Sequence, residues 1–152
     1  MNSDTKDLYQ EMILDHYKKP RNFEKMPHPT HQANGHNPLC GDKVTVFLEL
    51  VDGRVQRVSF QGSGCAISTA SASMMTERLT GKTLVEANQT FDSFHDLLTQ
   101  ETLSDDQDSL GKLRIFEGVR EFPMRVKCAT LAWHTMKAAC ENQVQPISTE
   151  KT

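Results

Sequence analysis

Residues 43–50 read KVTVFLEL, residues 54–61 read RVQRVSFQ, and Asp52-Gly53 stands between them. In the first segment Val44, Val46, Leu48 and Leu50 alternate with Thr45, Phe47 and Glu49. Successive side chains on a strand point to opposite faces, so this alternation marks a half-buried strand. Asp-Gly is a strong signal for a two-residue hairpin turn, because both residues tolerate positive φ. Residues 54–61 are then the antiparallel return strand. Val58 and Phe60 share one face while Val55 is out of phase, which points to a bulge.

Outward from this hairpin the periodicity changes. Residues 4–18 read as an amphipathic helix, capped by Ser3 or Asp4 and stopped by Pro20. Residues 20–39, rich in Pro, His and Asn, show no periodicity and read as a long loop of the functional or mobile kind. After the hairpin, Gly62-Ser63-Gly64 breaks the strand, and Cys65-Ala66-Ile67 reads as a short third strand. Residues 68–80 read as a helix crowded with small side chains, with Gly81 just past its C-terminus. Thr83 to Glu86 matches a capping box. One or two further helices fall within 90–118, around an acidic surface stretch at 104–108. Pro123 punctuates, and a last helix covers 126–141 with Ala129, Trp133, Met136 and Cys140 on one stripe. The tail after Gln143 is polar and reads as frayed. The expected class is α+β: an N-terminal helix, a small three-stranded antiparallel sheet, and helices packed on one face. Residues 1–152 read as a single domain without repeats.

Composition narrows the function classes. Net charge is −3 and the pI is near 6.0, which argues against a non-specific nucleic-acid binder. No apolar run approaches the ~18–20 residues of a membrane span. The polar N-terminus, MNSDTKDLYQ, does not read as a secretory signal, so the expected compartment is the cytoplasm. Thiols stay reduced there, and the four cysteines read as ligands, reactive thiols or core residues before disulfides.

The cysteines are not equivalent. Cys40 precedes the first strand in NPLCGDK, and Cys65 follows the second in FQGSGCA. Antiparallel pairing about the 52–53 turn brings both to the open end of the hairpin. Asp42 turns to the same side as Cys40 if the chain there is extended. Cys128 is expected in the first turn of the last helix, where the helix N-terminus should lower its pKa. Cys40, Asp42, Cys65 and Cys128 together form a candidate four-coordinate metal site. Three thiolates and one carboxylate around a divalent ion leave an excess of two negative charges. Arg125 and Lys127 are candidates to soften it. Cys140, on the apolar stripe, reads as a core residue. The six histidines read first as solvated or core groups.

The segments LYQEMILDHYKKPRN, NPLCGDKV, QGSGCAISTASASMMTE, LTGKT and RVKCATLAW resemble the U-type iron–sulfur cluster assembly proteins (IscU, the NifU N-terminal domain, SufU). The resemblance runs from about residue 8 to 141 and implies a compact SufE/NifU-like α+β fold. It also implies Cys40, Asp42, Cys65 and Cys128 as the site at one end. The chain resembles the SufU branch in particular. Lys127 stands where IscU proteins have a histidine, REFPMRVKC replaces the Leu-Pro-Pro-Val-Lys chaperone motif, and the Cys65–Cys128 interval is longer. SufU-like proteins bind zinc here and accept sulfur from a cysteine desulfurase of the SufS type. The resemblance implies Cys40 as the acceptor, with a downstream scaffold or apo-proteins receiving the sulfur.

Two other functions compete. The same ligands could hold a transient [2Fe-2S] cluster on an assembly scaffold. Alternatively, the chain is a structural zinc domain with only an interaction role, although an aspartate ligand suits a more labile site.

Overall fold

The computed structural model describes residues 3–100, 105–142 and 146–150. The hairpin forms as its pattern predicts. Strand β2 (Asp42–Val51) pairs antiparallel with β3 (Arg54–Ser63), and the register shifts between Glu49 and Leu50. That shift is the bulge signalled by Val55, which is fully buried opposite Leu50. The sheet has four strands in the order β3-β2-β1-β4. The third antiparallel strand is β1 (His31–Asn37), inside the segment expected to be a loop, and the two-residue β4 (Ile147–Ser148) runs parallel to it.

The physical reason for the missed strand lies in its inward face. Ala33, Gly35 and Asn37 point inward, so no apolar alternation marks it. The C-terminal helix α4 (Pro123–Cys140) lies directly against this backbone. A Cβ added at Gly35 would sit 2.1 Å from Thr135 Oγ1 and 3.3 Å from a Leu131 methyl. Small residues are therefore what allow the helix to approach.

Residues 65–67 are not a strand. Helix α2 (Ala66–Leu79) begins there, with Cys65 as its N-cap. Ala70, Ser71, Ala72, Ser73, Met74, Met75 and Thr76 are all buried in it, because α2 is wedged between the N-terminal helix α1 (Ser3–Lys18) and α4. Its hydroxyls are satisfied. Ser71 Oγ accepts from Trp133 Nε1 at 3.1 Å and donates to the Ala129 carbonyl at 2.5 Å. Ser73 Oγ bonds His16 Nδ1 at 2.7 Å, tying α1 to α2. Gly81 takes φ +88° just past α2, as expected of a glycine there. Helix α3 (Leu84–Thr99) carries the predicted capping box of Thr83 and Glu86.

Residues 105–119 form a 3-10 run, on which Leu110, Leu113, Ile115 and Phe116 reach the core. Residue 104 of the acidic stretch and residues 143–145 of the tail lie outside the described residues, as do the side chains expected to cap α1. At the core, Trp133 stacks on Phe94 at 4.6 Å. Among the described residues, no helix is long and apolar enough to cross a membrane.

Candidate metal centre

Four elements end at one corner of the sheet. The β1–β2 turn, residues 38–41, carries Cys40. Asp42, the first residue of β2, pairs with Asn37, the last of β1. Gly41 turns the chain at φ +73°, a conformation that favours glycine. Strand β3 leaves the sheet beside this turn, since Ser63 pairs with Lys43, and Cys65 follows. Helix α4 presents Cys128 from the other side. The ligand atoms of Cys40, Asp42 and Cys128 all lie within 4.8 Å of one another.

Of the four expected ligands, Cys40, Asp42 and Cys128 form the compact group, while Cys65 stands outside it and touches Asp42. The Sγ atoms of Cys40 and Cys128 are 3.4 Å apart. Asp42 Oδ1 accepts the Cys65 backbone N–H at 2.9 Å, and its Oδ2 lies 3.9 Å from Cys65 Sγ. Asp42 is 1% exposed and, among the described residues, has no ion-pair partner. A carboxylate buried without a counter-charge is costly unless it is paired or coordinates a cation. Gly64 shapes the cradle, because a Cβ there would come within 2.6 Å of Asp42 Oδ1. Two sulfur donors and one buried carboxylate form the compact cluster, with Cys65 beside it against Asp42, and this donor chemistry suits an ion of the zinc type.

The helix termini hold the opposite cysteines to those expected. Cys65 is the one at a helix N-terminus: its Sγ accepts the Ser68 N–H at 3.4 Å as the cap of α2. Cys128 lies in the second turn of α4, because Pro123 starts that helix at its first position instead of merely preceding it. The expected fall in the Cys128 pKa is therefore corrected. Burial pushes this thiol well up, and its contacts with Cys40, Asp42 and Cys65 add to the rise.

Arg125 and Lys127 are engaged elsewhere. The Arg125 guanidinium stacks over the exposed Phe122 ring, 4.5 Å from its centroid. The Lys127 amine pairs with Glu150. Cys140 sits half-buried with Sγ 3.6 Å from Met136 Sδ, and burial raises its pKa to about 11. It behaves as the core residue its stripe implied. Asn37 escaped the sequence reading altogether. It is fully buried, and its Nδ2 donates to Cys128 Sγ at 3.6 Å.

Over residues 8–142 the sequence matches the family described as the NifU-like N terminal domain. The chain belongs to that family. This NifU-like chain is 38% identical over 136 residues to the zinc-dependent sulfurtransferase SufU of Bacillus subtilis (strain 168), covering 90% of this chain and 91% of that protein. It is 36% identical over 132 residues to the iron–sulfur cluster assembly scaffold protein IscU of Streptococcus pyogenes serotype M1, covering 87% and 82%. The fold superposes on the SUF-system protein FiSufU of Fervidobacterium islandicum AW-1 with a TM-score of 0.80 at 34% identity, covering 85% of this chain and 93% of that one. A NifU-like N-terminal structure from Brucella abortus gives 0.80 at 26% identity, covering 90% and 94%. The NifU-like chain is thus of the SufU/IscU kind of iron–sulfur cluster assembly protein.

Proposed function

We propose that this protein is a zinc-binding sulfur acceptor that takes persulfide sulfur from a cysteine desulfurase. The observation that carries the reading is the pairing of an exposed thiol, Cys40, with a buried one, Cys128, only 3.4 Å away. Cys40, Asp42, Cys65 and Cys128 would hold the ion, and a bound zinc ion keeps its sulfur ligands as thiolates at neutral pH. Cys40 occupies an exposed hairpin turn, where an incoming persulfide can reach it. Its thiolate attacks the outer sulfur of the donor persulfide. A new S–S bond forms on Cys40, and the donor cysteine leaves as a thiolate. The naming of the Bacillus subtilis relative supports this reading. Mass spectrometry after treatment with a desulfurase and cysteine tests it. One added sulfur on Cys40 is expected. Sulfur confined to another cysteine, or none, overturns the assignment.

The IscU relatives favour a second reading, in which the same four side chains carry a [2Fe-2S] cluster as cargo for delivery. Protein purified without oxygen separates the two. Visible absorption with labile sulfide supports the scaffold, whereas stoichiometric zinc without sulfide supports the acceptor. A structural zinc domain would keep its metal and take up no sulfur.

A further inference from the structure

The side chain of Asn37 is oriented without ambiguity. Its Oδ1 accepts the backbone N–H of Leu39 at 3.2 Å and the hydroxyl of Thr149 at 3.0 Å. A backbone N–H can only donate, so the atom it meets is the oxygen. The NH2 group is thereby aimed at Cys128 Sγ, 3.6 Å away. Asn37 is fully buried and Cys128 is 3% exposed, so little water competes for either. Thr149 is itself anchored, since its N–H donates to the His36 carbonyl at 3.1 Å, beside the β1–β4 pairing.

We infer that Asn37 is a positioning residue for the metal centre, holding Cys128 Sγ toward Cys40 and Asp42 under the control of Thr149 from the C-terminal strand. The inference rests on the zinc reading above. A site with excess negative charge needs positive dipoles nearby, and the cations expected to supply them are turned to Phe122 and Glu150. Neutral donors take their place: Asn37 Nδ2 on Cys128, and the Ser68 N–H on Cys65. Such outer partners fix a ligand's orientation and typically account for 10–100-fold in metal affinity. The arrangement makes Cys128 the fixed sulfur and leaves Cys40, which meets Cys128 Sγ from an exposed turn, as the free one. It also places Thr149 in command of Asn37, 112 positions upstream in the chain.

The test is zinc competition against a chelator with the whole chain. Asn37→Ala should bind zinc about 10–100-fold more weakly. Asn37→Asp should bind more weakly still, because a carboxylate oxygen then faces the sulfur. Thr149→Val, which keeps the shape and removes the hydroxyl, should show a smaller loss. The double variant Asn37→Ala with Thr149→Val should bind no worse than Asn37→Ala alone, because both act through one contact. In the cobalt-substituted protein the sulfur-to-cobalt charge-transfer band should shift in Asn37→Ala and in Thr149→Val, which loss of packing alone would not produce. Zinc affinity for Asn37→Ala within about threefold of the parent, an unmoved band, or full additivity of the two substitutions overturns the inference while the zinc reading stands. A parent protein that binds no zinc overturns both. If Asn37→Ala does not fold, Thr149→Val carries the same test through affinity and band.

Discussion

Two sulfur atoms 3.4 Å apart occupy opposite surroundings. Cys40 sits in an exposed turn whose neighbours are Pro38, Leu39 and Gly41, with Leu39 itself 54% exposed. Cys128 is 3% exposed, in the second turn of a helix packed on β1 and α2, and it receives a hydrogen bond from Asn37. Proximity gives both sulfurs access to one ion, and burial gives them different freedom. A turn that makes few contacts can present its thiol to a partner, whereas a packed helix cannot without losing core contacts. The candidate site is thus asymmetric by construction, with one side built to hold and the other to be reached.

Removing each thiol in turn should produce the largest contrast. Cys40→Ala should retain zinc with reduced affinity and take up no sulfur at all from a desulfurase. Cys128→Ala should lose zinc from the isolated protein and lower its melting temperature, since a buried side chain is truncated. Metal analysis and mass spectrometry read the two outcomes. If Cys128→Ala kept full zinc and Cys40→Ala lost it, the roles would be reversed.

Chemical labelling measures the same contrast without mutation. In metal-free protein, iodoacetamide should modify Cys40 first. Cys140, with its pKa raised to about 11 by burial, should react about two orders of magnitude more slowly than an ordinary thiol near neutral pH. Cys128, whose pKa is raised further, should be slower again. Equal labelling of Cys40 and Cys128 would remove the basis for distinguishing them.

The sequence was readable where side chains alternate or repeat, and opaque where backbone meets backbone. The β2–β3 hairpin, the Val55 bulge and the Thr83–Glu86 box all leave marks in local pattern. Strand β1 leaves none, because Ala33, Gly35 and Asn37 are small or polar so that α4 can come close. The place of Cys40 and Cys65 at the same open end of the hairpin follows from strand direction alone. The environment of Cys128 does not, because Pro123 reads as punctuation ahead of a helix over 126–141, whereas it is the first residue of that helix. Asn37 was invisible for a different reason. Its importance comes from Leu39, Thr149 and Cys128 meeting it in space, and an asparagine in a Pro- and His-rich stretch carries no such signal.

Two glycines separate what belongs to the site from what belongs to the fold. Gly64→Ala forces a Cβ to 2.6 Å from Asp42 Oδ1, so the carboxylate must shift. Zinc affinity should fall about tenfold or more, with little change in melting temperature. Gly35→Ala places a Cβ 2.1 Å from Thr135 Oγ1, on the sheet–helix contact. That variant should lose about 1–3 kcal/mol of stability by overpacking. Denaturant melts alongside chelator competition distinguish the two. A Gly64→Ala protein that binds zinc normally would show that Asp42 is not held by this cradle.

The smallest effect belongs to Lys127, next to the buried cysteine in sequence. Its amine is bound to Glu150, and both side chains are about one-third exposed, at 37% and 33%. Solvent screens such a pair, which is worth at most about 1 kcal/mol. Lys127→Ala should therefore lower stability slightly and leave zinc affinity within about twofold of the parent. Glu150→Gln should reproduce the stability change, because it breaks the same pair from the other end. A large drop in zinc affinity for Lys127→Ala, with Glu150→Gln silent, would mean that the amine leaves Glu150 to serve the metal. The burden of softening the site's negative charge would then pass from Asn37 back to a cation.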